Sequence, residues 1–119
     1  MKKIAFIGAG NMGGALVMGI CKAIDPQQVV IFDLNTERTA FLAEKTGCSV
    51  AATAYSACKQ AEYIVLAVKP QQLRDVQALL IPAMREAREN GIQQKILSIA
   101  AGITLESLAE IPLQYDFDL

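Results

Sequence analysis

No histidine occurs among the 119 residues. Its absence removes the commonest general base and the commonest transition-metal ligand. Any chemistry must then rest on a cofactor, on Lys, Asp, Glu or Tyr, or on residues outside this chain. A basic surplus is missing too. Eleven Lys and Arg face twelve Asp and Glu, for a net charge of −1. Electrostatics therefore nominate no nucleic acid and no membrane surface as partner. Paired cysteines are also lacking: Cys21, Cys48 and Cys58 form no CxxC and are odd in number. They read as small hydrophobes in a reducing compartment rather than as a disulfide or metal site. Nor is there a long hydrophobic run. "MKKIAFI" starts like a signal peptide, but glycines cut the apolar stretch after Ile7, short of a signal core or a membrane span. A cytoplasmic address is the expectation.

What is present is a rhythm. The chain is 53% apolar and of a length for one domain with a real core. Residues 3–8, 29–33, 63–68 and 95–100 are continuous apolar runs, with 48–52 a weaker fifth. Continuous runs indicate strands buried on both faces, as in a parallel sheet covered by helices. Helical spacing fills the intervals. In 11–24 it selects Met12, Leu16, Gly19, Ile20 and Ala23, and in 71–90 it selects Leu73, Val76, Leu80, Met84 and Ala87, with a kink or break expected at Pro82. A helix over 36–46 has Asn35 as N-cap and Gly47 just beyond its end. Short helices are expected over 54–61 and from about Thr104. Strand–helix repetition with short links predicts a doubly wound α/β fold with helices on both faces of a mainly parallel sheet. The closing residues 111–119 fit neither a strand nor a helix.

Four glycines fall within residues 8–14. Gly8–Ala9–Gly10–Asn11–Met12–Gly13 fits GxGxxG, directly after the first strand and at the opening of an amphipathic helix. The pattern alone is weak; that context makes it a Rossmann-like dinucleotide fingerprint. Gly8 allows the tight turn, Gly10 lets a pyrophosphate approach the backbone, and Gly13 lets helix and strand pack closely. Free N–H groups and the helix dipole then hold the diphosphate. Gly14 and Gly19 read as packing glycines.

The end of the second strand bears on which dinucleotide is used. Asp33 lies 20 residues beyond Gly13, where a carboxylate binds the ribose 2′-hydroxyl of NAD and repels the 2′-phosphate of NADP. Asn35, Thr36 and Arg38 follow at a helix N-terminus and offer donors and a positive charge for that phosphate. Plainer roles exist for all of them: a helix cap, a solvated charge, a strand-end turn. These residues leave NADP and NAD both open. Ala67, Val68, Lys69 and Pro70, and later Ala100, Ala101 and Gly102, close two further strands, where ligands of an open α/β sheet bind. Lys69 reads as a lysine extending to solvent at a strand end, with no catalytic role.

"FIGAGNMGGAL", "LAVKPQ" and "LSIAAGITLESLAE", in this order and spacing, resemble the amino-terminal domain of pyrroline-5-carboxylate reductase over residues 3 to about 110. The resemblance implies reduction of the cyclic imine 1-pyrroline-5-carboxylate to L-proline with NADPH, and with NADH as a second donor. It implies that Gly8 to Met12 line the diphosphate, that Asn35 and its neighbours face the adenosine ribose, and that Val68–Pro70 and Ala100–Gly102 flank the nicotinamide. Family members run to more than twice this length and add a helical carboxy-terminal domain that makes the dimer and holds the imine. This sequence instead runs into "IPLQYDFDL". The expected division is therefore a dinucleotide-binding domain over 1–110 and an atypical tail over 111–119, with little reductase activity alone. Two other functions fit the same residues: a non-catalytic NADP(H)-binding module, and another imine or β-hydroxyacid reductase.

Overall fold

The computed structural model describes residues 2–8, 11–67 and 73–98. Among these, five strands form one parallel sheet: β1 (Lys2–Ile7), β2 (Val29–Phe32), β3 (Ser49–Val50), β4 (Ala61–Leu66) and β5 (Lys95–Ser98). Helices α1 (Asn11–Ala23), α2 (Thr36–Thr46), α3 (Ala54–Lys59) and α4 (Leu73–Glu89) connect them, with a 3-10 turn over Pro26–Gln28. The strand order is β3-β2-β1-β4-β5. The chain thus works outward from β1 in one direction, returns, and works outward in the other.

Alternation along each strand divides the core into two layers. Ile4 and Phe6 of β1, Val29 and Ile31 of β2, Val65 and Leu97 point to one face, where Leu16 and Val17 of α1 and Leu42 of α2 cover them. Ala5 and Ile7, Val30, Ile64, Leu66 and Ile96 point to the other, beneath Ala57 and Cys58 of α3 and Leu80, Ala83 and Met84 of α4. Both faces of the sheet are buried, which is why its strands read as unbroken apolar runs. The expected α/β class, parallel sheet and two-sided cover are all present.

Helix α2 keeps both expected ends. The Asn35 side chain accepts from the backbone N–H of Arg38, and Gly47 closes the helix in the left-handed region at φ 80°. Three expectations need correction. The fourth strand starts at Ala61, not Tyr63, because Ala61 pairs with Lys2 in the parallel ladder, and α3 accordingly stops at Lys59. On α1, Leu16 and Ile20 lie on the core as expected, but Val17 is buried beside them and Ala23 is exposed, so the covered face is shifted from the one expected. Pro82 does not divide α4, which runs as one helix. Its ring lies on the exposed side, where water can bond the carbonyl that lacks an N–H partner. The expected helix near Thr104 and the tail 111–119 lie outside the described residues.

Candidate dinucleotide site

Strand order reverses at β1, whose neighbours are β2 on one side and β4 on the other. In open α/β sheets the crevice beyond the carboxyl ends at such a point is where ligands bind. Two backbone bonds hold the three strand ends level. Gly8 N–H donates to Phe32 O, and Ala67 N–H donates to Ile7 O, each at 2.8 Å. Gly8 itself turns with φ 91°, a conformation side chains with a Cβ disfavour. Helix α1 opens at Asn11 and so points its N-terminus at this crevice edge.

Gly13 shows why the third glycine of the fingerprint is needed. A Cβ built on it would stand 2.8 Å from the Ala67 Cβ and 3.1 Å from Gly8 O. Helix α1 therefore lies against both the β1 turn and the end of β4 at a distance that only a glycine permits. This is the close helix–strand packing that the third glycine of a dinucleotide fingerprint provides.

At the end of β2, three side chains build the start of α2. Asp33 Oδ1 accepts from Asn35 N–H at 2.9 Å, and Asn35 Oδ1 accepts from Arg38 N–H at 3.1 Å. These are the turn and cap roles that compete with ligand binding on paper. Asn35 spends its single side-chain oxygen on this cap. Thr36, the first residue of α2, is exposed, and its carbonyl accepts from the Thr39 hydroxyl at 3.1 Å. The Arg38 guanidinium crosses to α1, because a Cβ on Gly14 would lie 2.3 Å from its Nη2. The Phe41 ring is a further neighbour, 5.9 Å from Cζ to centroid. One carboxylate and one guanidinium thus flank the β2 end, the first suited to a ribose hydroxyl and the second to a phosphate.

The structure brings together Gly8, Asp33, Asn35, Thr36, Arg38 and Ala67 at the ends of three adjacent strands. Asn11 and Met12 are placed as the first residues of α1. Ala9, Gly10, Val68, Lys69, Pro70, Ala100, Ala101 and Gly102 lie outside the described residues. Two features escaped the sequence reading. Gly14 was expected to serve packing alone, and its neighbour proves to be Arg38. Leu34 is 90% exposed at the crevice edge, where its apolar character was a signal that went unused.

Residues 3–102 match the family model described as NADP oxidoreductase coenzyme F420-dependent. The pyrroline-5-carboxylate reductase of Haemophilus influenzae is 38% identical over 108 residues, which is 90% of this chain and 37% of that protein. The Pseudomonas aeruginosa enzyme of the same name is 36% identical over 107 residues, 89% of this chain and 37% of its own length. Among solved structures, a pyrroline-5-carboxylate reductase from Coxiella burnetii superposes with a TM-score of 0.70 at 28% identity, covering 90% of this chain and 39% of that one. The chain spans less than two fifths of the length of these relatives. On its sheet order, its fingerprint and these matches, the chain belongs to the NADP oxidoreductase, coenzyme F420-dependent family, and it corresponds to the amino-terminal, dinucleotide-binding part of pyrroline-5-carboxylate reductases.

Proposed function

We propose that this chain is the cofactor-binding part of a pyrroline-5-carboxylate reductase, which reduces the cyclic imine 1-pyrroline-5-carboxylate to L-proline with NADPH. The observation that carries the reading is the cradle at Gly13: α1 pressed on Gly8 and Ala67 at the point where strand order reverses. It is the packing that sets a helix N-terminus beside the strand ends in a dinucleotide fingerprint, and the relatives named above point to the imine.

The residues divide the work. Gly8 to Met12 and the α1 N-terminus hold the diphosphate, and Asn35, Thr36 and Arg38 take the adenosine ribose with its 2′-phosphate. NADPH is favoured over NADH by Arg38, whose charge lies at the β2 end beside α1. Asp33, a carboxylate at the end of β2, is the group suited to the NADH ribose. Val68, Lys69 and Pro70, with Ala100, Ala101 and Gly102, flank the nicotinamide ring and its ribose. When bound, the nicotinamide supplies a hydride to the imine carbon. This chain orients the donor and fixes the face it presents. We assign the pocket for the imine and its carboxylate, and the homo-oligomer contact, to what corresponds to the rest of the relatives' length.

Titration of the chain with NADPH and NADH, followed by nicotinamide fluorescence, tests this. Saturable binding with NADPH tighter is expected. R38A should weaken NADPH by about tenfold or more, the value of a charge-assisted phosphate contact, and leave NADH nearly unchanged. Absence of saturable binding by either dinucleotide would overturn the assignment.

A further inference from the structure

We propose that Gly14 is a positioning residue for dinucleotide choice: its missing side chain is the seat on which the Arg38 guanidinium rests, and an alanine there removes the preference for NADPH. The inference rests on the dinucleotide reading above and adds a residue that touches no ligand in it.

Gly14 is the fourth residue of α1, and Arg38 is the third of α2. A Cβ on Gly14 would meet Nη2 at 2.3 Å, Cζ at 3.2 Å and Nε at 3.5 Å. All three are guanidinium atoms, so the charged end itself lies on the bare helix backbone. The base of the same side chain is pinned, since its backbone N–H donates to Asn35 Oδ1. Phe41, one turn further along α2, has its ring centroid 5.9 Å from the guanidinium carbon.

Backbone conformation gives Gly14 no reason to be glycine. Among the described residues, positive φ occurs at Gly8, Gly47 and Gly91, and not at Gly14. Alanine is the better helix former at such a position. The requirement visible at Gly14 is space, and Arg38 fills that space. Gly13 is different in kind, since the atoms it would strike are a backbone oxygen and a core Cβ, neither of which can step aside. The far end of an arginine can. A methyl group at position 14 should therefore leave the fold intact and move the guanidinium off α1, away from the crevice edge where it would meet a 2′-phosphate.

The experiment measures NADPH and NADH dissociation constants and thermal midpoints for the wild-type chain, G14A, R38A and G14A/R38A. G14A should lose about tenfold in NADPH affinity and keep its NADH affinity. On the R38A background, G14A should cost no further NADPH affinity and should raise the thermal midpoint, because the helix gain appears once the guanidinium is gone. A G14A variant with the wild-type ratio of affinities, or with both dinucleotides weakened alike, overturns the proposal and leaves the dinucleotide reading standing. Equal wild-type affinities for the two overturn it in the same way. A wild-type chain that binds neither dinucleotide removes the reading beneath it and the proposal with it. If G14A does not fold, the double variant decides: it must fold at least as stably as R38A, and its failure to do so overturns the proposal.

Discussion

Gly13 on α1 faces Ala67 at the end of β4 so closely that a methyl group on the glycine would come within 2.8 Å of the alanine Cβ. The helix, the β1 turn and the β4 end are locked by this one approach. G13A must push α1 off the sheet, with Gly8 O blocking the other direction at 3.1 Å. We expect a loss of about 1–3 kcal/mol, the usual cost of overpacking, together with weakened dinucleotide binding. Urea denaturation and the fluorescence titration report the two effects separately.

Burial pushes the Cys58 thiol up from an ordinary value near 9.0 to about 12. The folded chain then keeps a proton that the unfolded chain releases, so stability is full below pH 9 and falls as pH rises towards 12. The slope is about 1.4 kcal/mol per pH unit, and ~4 kcal/mol across the window for this one thiol. Urea midpoints from pH 8 to 12 should show the decline, and C58A should flatten it relative to wild type. Cys21, half-buried beside Thr46, is also raised, chiefly by burial. Alkylation at pH 8 should therefore be slow at Cys21, and should reach Cys58 only on unfolding.

Gln94 ties two elements together from the residue before β5. Its buried amide nitrogen donates to Ala61 O at 2.7 Å and also to Cys58 O. Q94L would leave both carbonyls without this donor, at an expected cost of about 2–3 kcal/mol. Thermal unfolding checks the loss, and amide exchange at the start of β4 should quicken.

Gly47 ends α2 at φ 80° with its N–H donating to Ala43 O at 2.8 Å. Its nearest neighbour, the Pro26 Cβ, is at ordinary contact distance, so a side chain there meets strain rather than collision. G47A is expected to cost about 1–2 kcal/mol, read as a lowered thermal midpoint. Gly91, at φ 79° with nothing within 4 Å, should behave alike and serves as the comparison.

Local signals carried the fold far. The α2 ends were legible because both cap residues flank an amphipathic run, and β1, β2 and β5 because strands covered on two faces carry unalternating apolar residues. The start of β4 was not legible. Ala61 and Glu62 suit a helix end, and their strand conformation is fixed by pairing with β1, from the other end of the chain segment. At the site, Gly8 and Gly13 were readable from spacing. The Gly14–Arg38 approach joins residues on different helices, and no periodicity within either one reveals it.

The central strand meets its two partners at very different chain distances. Ile4 pairs with Val29 on one side and with Tyr63 on the other, a separation of 25 residues against 59. Synthesis from the amino terminus therefore supplies one edge of β1 well before the other. Until the chain has grown past Leu66, the edge of β1 that will receive β4 lacks its native partner, and the apolar Ala5 and Ile7 still lack α4 beyond that point. Such an interval favours intermolecular strand pairing. Nascent chains halted between residues 35 and 60 should be the most dependent on chaperone cover.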